Sequence, residues 1–437
     1  MVYGRVFLRR ILIGVALTIV SLVLFTVQAA PKTITFWHYW QSDEGKALEE
    51  VVQDFNKTHK DLQVKVLSAG TYENIHEKLL TAITGGNPPD VGVCSTDYLP
   101  EWVYNGALVS LDSYIKKTRF DLSDFYPISL KLATINGKLY GLPLNQDTYA
   151  LLWNKKLFRK AGLDPEKPPK TIAELDAMAE KLTIKNEKGE IVQLGFLPDW
   201  PWSHFPMVAW AFGGTFYNEK TKKITCNDPN TVKALEWEQS YYKKYGLKEL
   251  NAFKAGLGEY ATAGYAFYTG QVAMVIEGEW QPNFIKLYAP KDFEWGAAPF
   301  PGVTPELSGQ TQSSATCLVI PKGCKNPKEA WQFIAWMERP ENAGRFDAAI
   351  SNVPPFKSLG QDPNYVKDPR FQVFMKLLEN PKYQIWPQIP VAMNYMTQLG
   401  TAEEHVCVAG DKDPKEALDE VAKAMQAELD KALKKKR

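Results

Sequence analysis

Aromatic side chains and carboxylates gather in a few short stretches of this 437-residue chain, each at the end of an apolar run. TITF leads into Trp37-His38-Tyr39-Trp40-Gln41, and PPDVGVC into Ser95-Thr96-Asp97-Tyr98. LPLNQ leads into Asp147, LGFLPD into Trp200-Pro201-Trp202, and QVAMVI into Glu277-Gly278-Glu279-Trp280. One chemistry wants rings and acids together. A sugar's C–H faces are apolar and slightly positive, so they stack on the electron-rich face of Trp or Tyr. Its hydroxyls want acceptors and donors, which Asp, Glu, Asn and Gln supply, ionised acids most strongly. Such a site needs no metal and no cofactor.

Other chemistries lack their residues. His38, His59, His76, His204 and His405 form no H-E-x-x-H. Neither G-x-S-x-G nor a Walker sequence occurs. Cys94, Cys226, Cys317, Cys324 and Cys407 have no C-x-x-C spacing. Cys317 and Cys324 flank LVIPKG and are either a bridged pair or free thiols. A formal net charge of +1 gives no electrostatic grip on nucleic acid. The enzymatic rival is a secreted glycoside hydrolase, which needs two carboxyl groups about 5–10 Å apart across the bond. Glu277 and Glu279 are neighbours on one segment, although Asp97 with Glu277 would answer that need. An adhesion lectin would more often be all-β.

The elements that must hold these residues read as strand and helix in alternation. TITFW (33–37) is a strand, and residues 43–59 form a helix with Leu48, Val51, Val52 and Phe55 on one face. LQVKVLSAG is a strand, YENIHEKLLTAITGG a helix ended by Gly85 and Gly86, and PPDVGVCS a strand. That order predicts an α/β protein with mostly parallel sheets. Later come the strand YALLWN (149–154), a helix with the box Thr171-x-x-Glu174, and strands at 270–280 and 317–323. NPKEAWQFIAWM is a helix, and a final helix carries Leu418, Val421, Ala422, Met425 and Leu429 on one stripe. Residues 1–29 are a separate object. Arg5, Arg9 and Arg10 precede the apolar run 11–27, and small residues Val27 and Ala29 precede a cut after Ala29. This is the pattern of a secretory leader, with an uncleaved anchor as the alternative.

With these stretches in order, the chain resembles the bacterial extracellular solute-binding proteins of sugar ABC importers, the group that includes maltose-binding protein. The resemblance rests on ITFWHYW, YENIHEKLLTAITGGNPPDV, EWVYNGALVSLDSYI, NGKLYGLPLNQDTYALLWNKKLFRKAGL, AFGGTFYN, FYTGQVAMVIEGEW, NPKEAWQFIAWM and DPKEALDEVAKAM. It implies two α/β lobes about a cleft, joined by a three-segment hinge near Leu142–Asp147, Ala297–Phe300 and Ser351–Pro355. One lobe would be 31–145 plus 300–352, the other 146–299 plus 353–437. It implies sugar contacts from Trp40, Gln41, Tyr72, Asp97, Tyr98, Asp147, Trp200, Trp202, Glu277, Trp280, Asn352 and Trp386. Gly213 and Gly214 would let backbone N–H groups approach the ligand. Trp37 has the more core-like place. The implied partners are a sugar or oligosaccharide and the membrane permease of an importer, the implied place is the periplasm, and the implied state is a monomer. A polyol or a glycerol phosphate is the alternative ligand; basic residues are sparse in these stretches, which counts against the phosphates, since those usually recruit Arg.

Overall fold

The computed structural model describes residues 30–434, apart from Ser203, Gln361, 363–367 and 381–383. The leader pattern and its cut after Ala29 lie outside the described residues. The principal strands are β1 (Lys32–His38), β2 (Leu62–Ser68), β3 (Val91–Ser95), β4 (Gly141–Asp147), β5 (Tyr149–Asn154), β6 (Ile184–Lys185), β7 (Ile191–Pro201), β8 (Val272–Gly278), β9 (Trp295–Ala298) and β10 (Ser314–Val319). They build two five-stranded sheets, ordered β2-β1-β3-β10-β4 and β9-β5-β8-β7-β6.

Both sheets are mixed, where the alternation of elements predicts mostly parallel ones. β1 runs parallel to β2 and β3, but β10 is antiparallel to both β3 and β4. In the second sheet only β7 and β8 run parallel. The cause is the path of the chain. β4 leaves the first sheet at its site-facing end and β10 enters there, so the two must run in opposite directions. β5 and β9 enter and leave the second sheet in the same way.

Each sheet has its own core. Leu48, Val51, Val52 and Phe55 of helix Ser42–Thr58 are buried on the first sheet, as their spacing predicts. Ile34 and Phe36 meet them from β1, because alternate residues of a strand share a face. On β5, Tyr149, Leu151 and Trp153 face one cluster while Ala150 and Leu152 face another. Helices therefore cover both faces, and all six residues of YALLWN are buried. The helix Ile172–Leu182 begins where Thr171 Oγ1 accepts the Glu174 N–H at 3.2 Å. The helix Pro414–Lys434 buries Leu418, Val421, Ala422, Met425 and Leu429.

The chain crosses between the sheets at Thr148, between β9 and β10, and after Ile350. The middle crossing comes later than Ala297–Phe300. Phe300 is fully buried 6.5 Å from the ring of Phe196, Val303 N–H bonds Ala211 O, and Gly309 N–H bonds Phe300 O. These contacts fix 300–309 to the second sheet, not to the first as the sequence suggests. All five cysteines are free thiols, so Cys317 and Cys324 are not bridged; Cys317 lies opposite Cys94 across the β3–β10 pair. No described helix is long and apolar enough to cross a membrane.

Candidate functional site

The ends of β1, β3, β4, β7 and β8 converge where the chain first crosses. On the first-sheet side Tyr39 follows β1, its hydroxyl 3.0 Å from Thr316 Oγ1 on β10. Its ring stands edge-on to Tyr72 at 5.3 Å. Tyr72 opens the helix Tyr72–Thr84, where Asn74 Oδ1 accepts the Thr71 N–H at 2.9 Å. One turn on, His76 Nε2 accepts the Ser95 N–H at 2.9 Å and its ring stacks on Tyr98 at 4.0 Å. That bond needs a bare Nε2, so His76 is neutral, and burial lowers its pKa to about 4. His76 thus braces the turn that presents Asp97. The Asp97 N–H donates to Ser95 Oγ at 3.3 Å, and the residue is half-buried beside the site.

On the second-sheet side four rings close a circuit. Tyr149 meets Trp280 edge-on at 5.8 Å, Trp280 meets Trp202 at 5.5 Å, Trp202 meets His204 at 6.0 Å, and His204 meets Tyr149 at 5.5 Å. Trp280 is fixed from behind. Its Nε1–H donates to Tyr260 Oη at 2.6 Å, Gln281 Nε2 donates to the same oxygen at 3.0 Å, and Tyr260 O–H donates to Glu277 Oε2 at 3.1 Å. Gly278 makes room for this ring, since a Cβ there would fall 2.3 Å from it.

Between the two sides lie Asp147 and the crossings. Ser314 Oγ donates to Asp147 Oδ2 at 2.8 Å. Gln146 N–H donates to Val353 O at 2.9 Å, and Tyr149 N–H to Thr311 Oγ1 at 2.9 Å, so the first crossing is tied to both others. Burial, then the charge of Asp147, raises the Asp97 carboxyl to about 7. Burial also raises Asp147, against the Ser314 hydrogen bond. Burial and then Asp147 push the Tyr149 hydroxyl well up, with Glu279, Tyr72 and Asp97 adding to it. Side chains of both sheets therefore act on one another here. No Lys or Arg figures among the groups shifting Asp97, Asp147 or Glu279. Among the described residues the site offers rings and acids. It can stack apolar faces and accept hydrogen bonds.

The structure brings together Tyr72, Asp97, Tyr98, Asp147, Trp202 and Trp280 of the residues suggested by the sequence. Others lie elsewhere. Trp40 is 3% exposed and packs edge-on to Phe346 at 4.9 Å in the first core. Its alternation with Ile34, Phe36 and His38 sends it inward, while Trp37 and Tyr39 take the half-buried opposite side. Gln41 is exposed at the rim, its Nε2 3.3 Å from Gly70 O. Glu277 is buried, its oxygens engaged by Tyr260 and Tyr265, so it positions Trp280 instead of facing the site. Trp200 packs on Tyr265 at 5.3 Å. Gly213 and Gly214 close the helix Phe205–Ala211, bonding Trp210 O and Ala209 O, and a Cβ on Gly214 would strike Thr231 Oγ1 at 2.5 Å. Trp386 is 1% exposed in the second core against Phe216 and Tyr395. Asn352 bonds Glu279 Oε1 at 2.9 Å in the hinge. Sequence reasoning missed Tyr39, Tyr149, His204, Tyr260 and Glu279 as site residues.

A cavity of about 790 Å³ lies apart from these rings, beside helix Gln281–Tyr288 and the end of helix Pro340–Ile350. Asp97, Asp147, Tyr149, Trp202 and Trp280 do not line it. Its Arg370 sits 4.0 Å over the Trp295 ring and pairs with Asp368 at 2.6 Å, so that charge is already answered.

Known proteins share this architecture. The structure of CpMnBP1 with mannobiose bound matches with a TM-score of 0.80 at 32% identity, covering 90% of this chain and 99% of that one. A maltotriose-binding protein of Pyrococcus abyssi is 24% identical, covering 91% of this chain and 81% of its own. The sn-glycerol-3-phosphate-binding periplasmic protein of Salmonella typhimurium is 25% identical, covering 94% and 95%. Residues 39–344 match the family of bacterial extracellular solute-binding proteins, and the chain belongs to that family.

Proposed function

We propose that this protein captures a short neutral oligosaccharide between its two sheets and hands it to the membrane permease of an ABC importer. The observation that carries this reading is the circuit of Tyr149, Trp280, Trp202 and His204 beside Asp97 and Asp147, with no Lys or Arg among the described residues named as shifting either acid. Rings take the C–H faces of a sugar and the acids accept its hydroxyls. A phosphate would meet repulsion from both acids, which sets the glycerol phosphate of the Salmonella relative aside. The mannobiose-bound relative suggests two or three rings of a manno-oligosaccharide as the first candidates.

In this reading the protein is a monomer that does no chemistry on its ligand. It works in the periplasm after losing residues 1–29, and its lobes follow the two sheets. Ligand contacts with both lobes favour the closed arrangement by differential affinity. Calorimetry of the mature protein with mannobiose, mannotriose, maltotriose and glycerol 3-phosphate tests it, with mass spectrometry of the ligand afterwards. Binding of an intact neutral saccharide supports the reading. A cleaved saccharide turns it toward hydrolysis, and binding of the phosphate alone overturns it.

A further inference from the structure

Two acids with different surroundings flank Gly278, the last residue of β8. Glu277 is enclosed by tyrosine hydroxyls, whereas Glu279 reaches the crossings. The Glu279 side chain is fully buried. One oxygen accepts the Thr148 N–H at 3.0 Å, and the other accepts Asn352 Nδ2 at 2.9 Å. Thr148 is the single residue between β4 and β5, so it is the whole first crossing, with Asp147 and Tyr149 on either side. Asn352 lies in the third crossing, just before Val353, which pairs with Gln146. The next residue after Glu279 is Trp280. One carboxylate thus joins the stacking ring's strand to two of the segments that must bend when the lobes move.

Its surroundings add a second point. Asp147 acts on it from the first crossing, and the buried Asp347 of helix Pro340–Ile350 stands near it. Both Glu279 oxygens accept here, whereas an amide has one acceptor oxygen and could replace the acid only if Asn352 turned. We propose that Glu279 is a positioning residue that couples the Trp280 platform to the hinge, so that ligand stacking and lobe closure proceed as one event. This rests on the ligand reading above only for the word ligand; the coupling itself is a property of the empty protein.

The test uses the mature protein with Asn352→Ala, Glu279→Ala, their double variant, and Glu279→Gln. Amide hydrogen exchange at Thr148 is read without ligand. Asn352→Ala should speed that exchange about tenfold, the scale of one lost buried hydrogen bond. Glu279→Ala should do the same, and the double variant no more. Glu279→Gln should restore protection, because the Asn352 amide can turn to meet it. Unchanged Thr148 exchange in Asn352→Ala, or additive effects of the pair, overturns the coupling. With mannobiose as probe, each alanine variant should lose about tenfold in affinity, with the Trp280 near-UV signal of the folded protein retained. If mannobiose fails to bind the unaltered protein, the ligand reading is at fault, and the exchange data still decide the role of Glu279.

Discussion

At the scale of single residues, the proposed function assigns stacking to Trp280 and the acceptance of hydroxyls to Asp97. Trp280 is held by Tyr260, so its ring is already oriented before any ligand arrives. Trp280→Ala should cost about 2–4 kcal/mol of saccharide binding, as loss of an anchoring ring does, while circular dichroism stays that of the folded protein. Asp97 has the opposite balance of function and stability. Burial and the nearby Asp147 raise its folded pKa to about 7, above the ordinary 3.8. The folded state therefore holds that proton more tightly than the unfolded chain. Its contribution to stability is full at low pH and is lost as pH rises from about 4 to about 7. Asp97→Asn should raise the Tm of the empty protein at pH 8 by about 2–4 °C, the effect of about 1 kcal/mol in a domain of 150–250 residues. It should leave the Tm near pH 4 unchanged. The same variant should bind saccharide more weakly at pH 8, because a hydroxyl loses its ionised acceptor. Melting curves and calorimetry at the two pH values check both halves.

At the scale of elements, the strand ends aim the site and the helices steady it. Gly278→Ala places a methyl group within the space of the Trp280 ring and should weaken saccharide binding about tenfold or more, with a smaller change in melting temperature. Thr171→Ala removes the cap of the helix Ile172–Leu182, far from the rings. It should cost about 1 kcal/mol of stability in a denaturant titration and leave affinity unchanged. Much of this scaffold was legible in the sequence. YALLWN, the Thr171 cap and the stripes of the first and last long helices are local patterns, and local patterns survive folding. Trp40 shows what was equally legible but passed over, since counting by two from Ile34 leads into the core. Tyr260 shows what was not. It lies on a loop with no period, 20 residues from Trp280, and only the tertiary fold brings its hydroxyl to the indole. Gly213 and Gly214 offered a turn and an open backbone with the same letters, and the helix end took them.

At the scale of the whole molecule, two sheets meet over crossings that are bonded to one another. A ligand that touches both sides should therefore stabilise the entire chain. Mannobiose at 100 times its Kd should add about 2.7 kcal/mol to unfolding free energy, a gain read by thermal melting. Because the proposed ligand is neutral, raising sodium chloride from 50 to 500 mM should change that affinity less than twofold, where phosphate capture would weaken steeply. The strand order has a bearing on how the protein is made. β10 fills the gap between β3 and β4, yet it follows the entire second sheet along the chain. Synthesis from the N-terminus delivers β1 to β4 early and β10 only when residue 319 emerges. Until then β3 and β4 each show a bare edge, ready to pair with any strand that passes. The sheet whose synthesis begins first is therefore completed second, and its unpaired edges stay exposed while all of the other sheet is made.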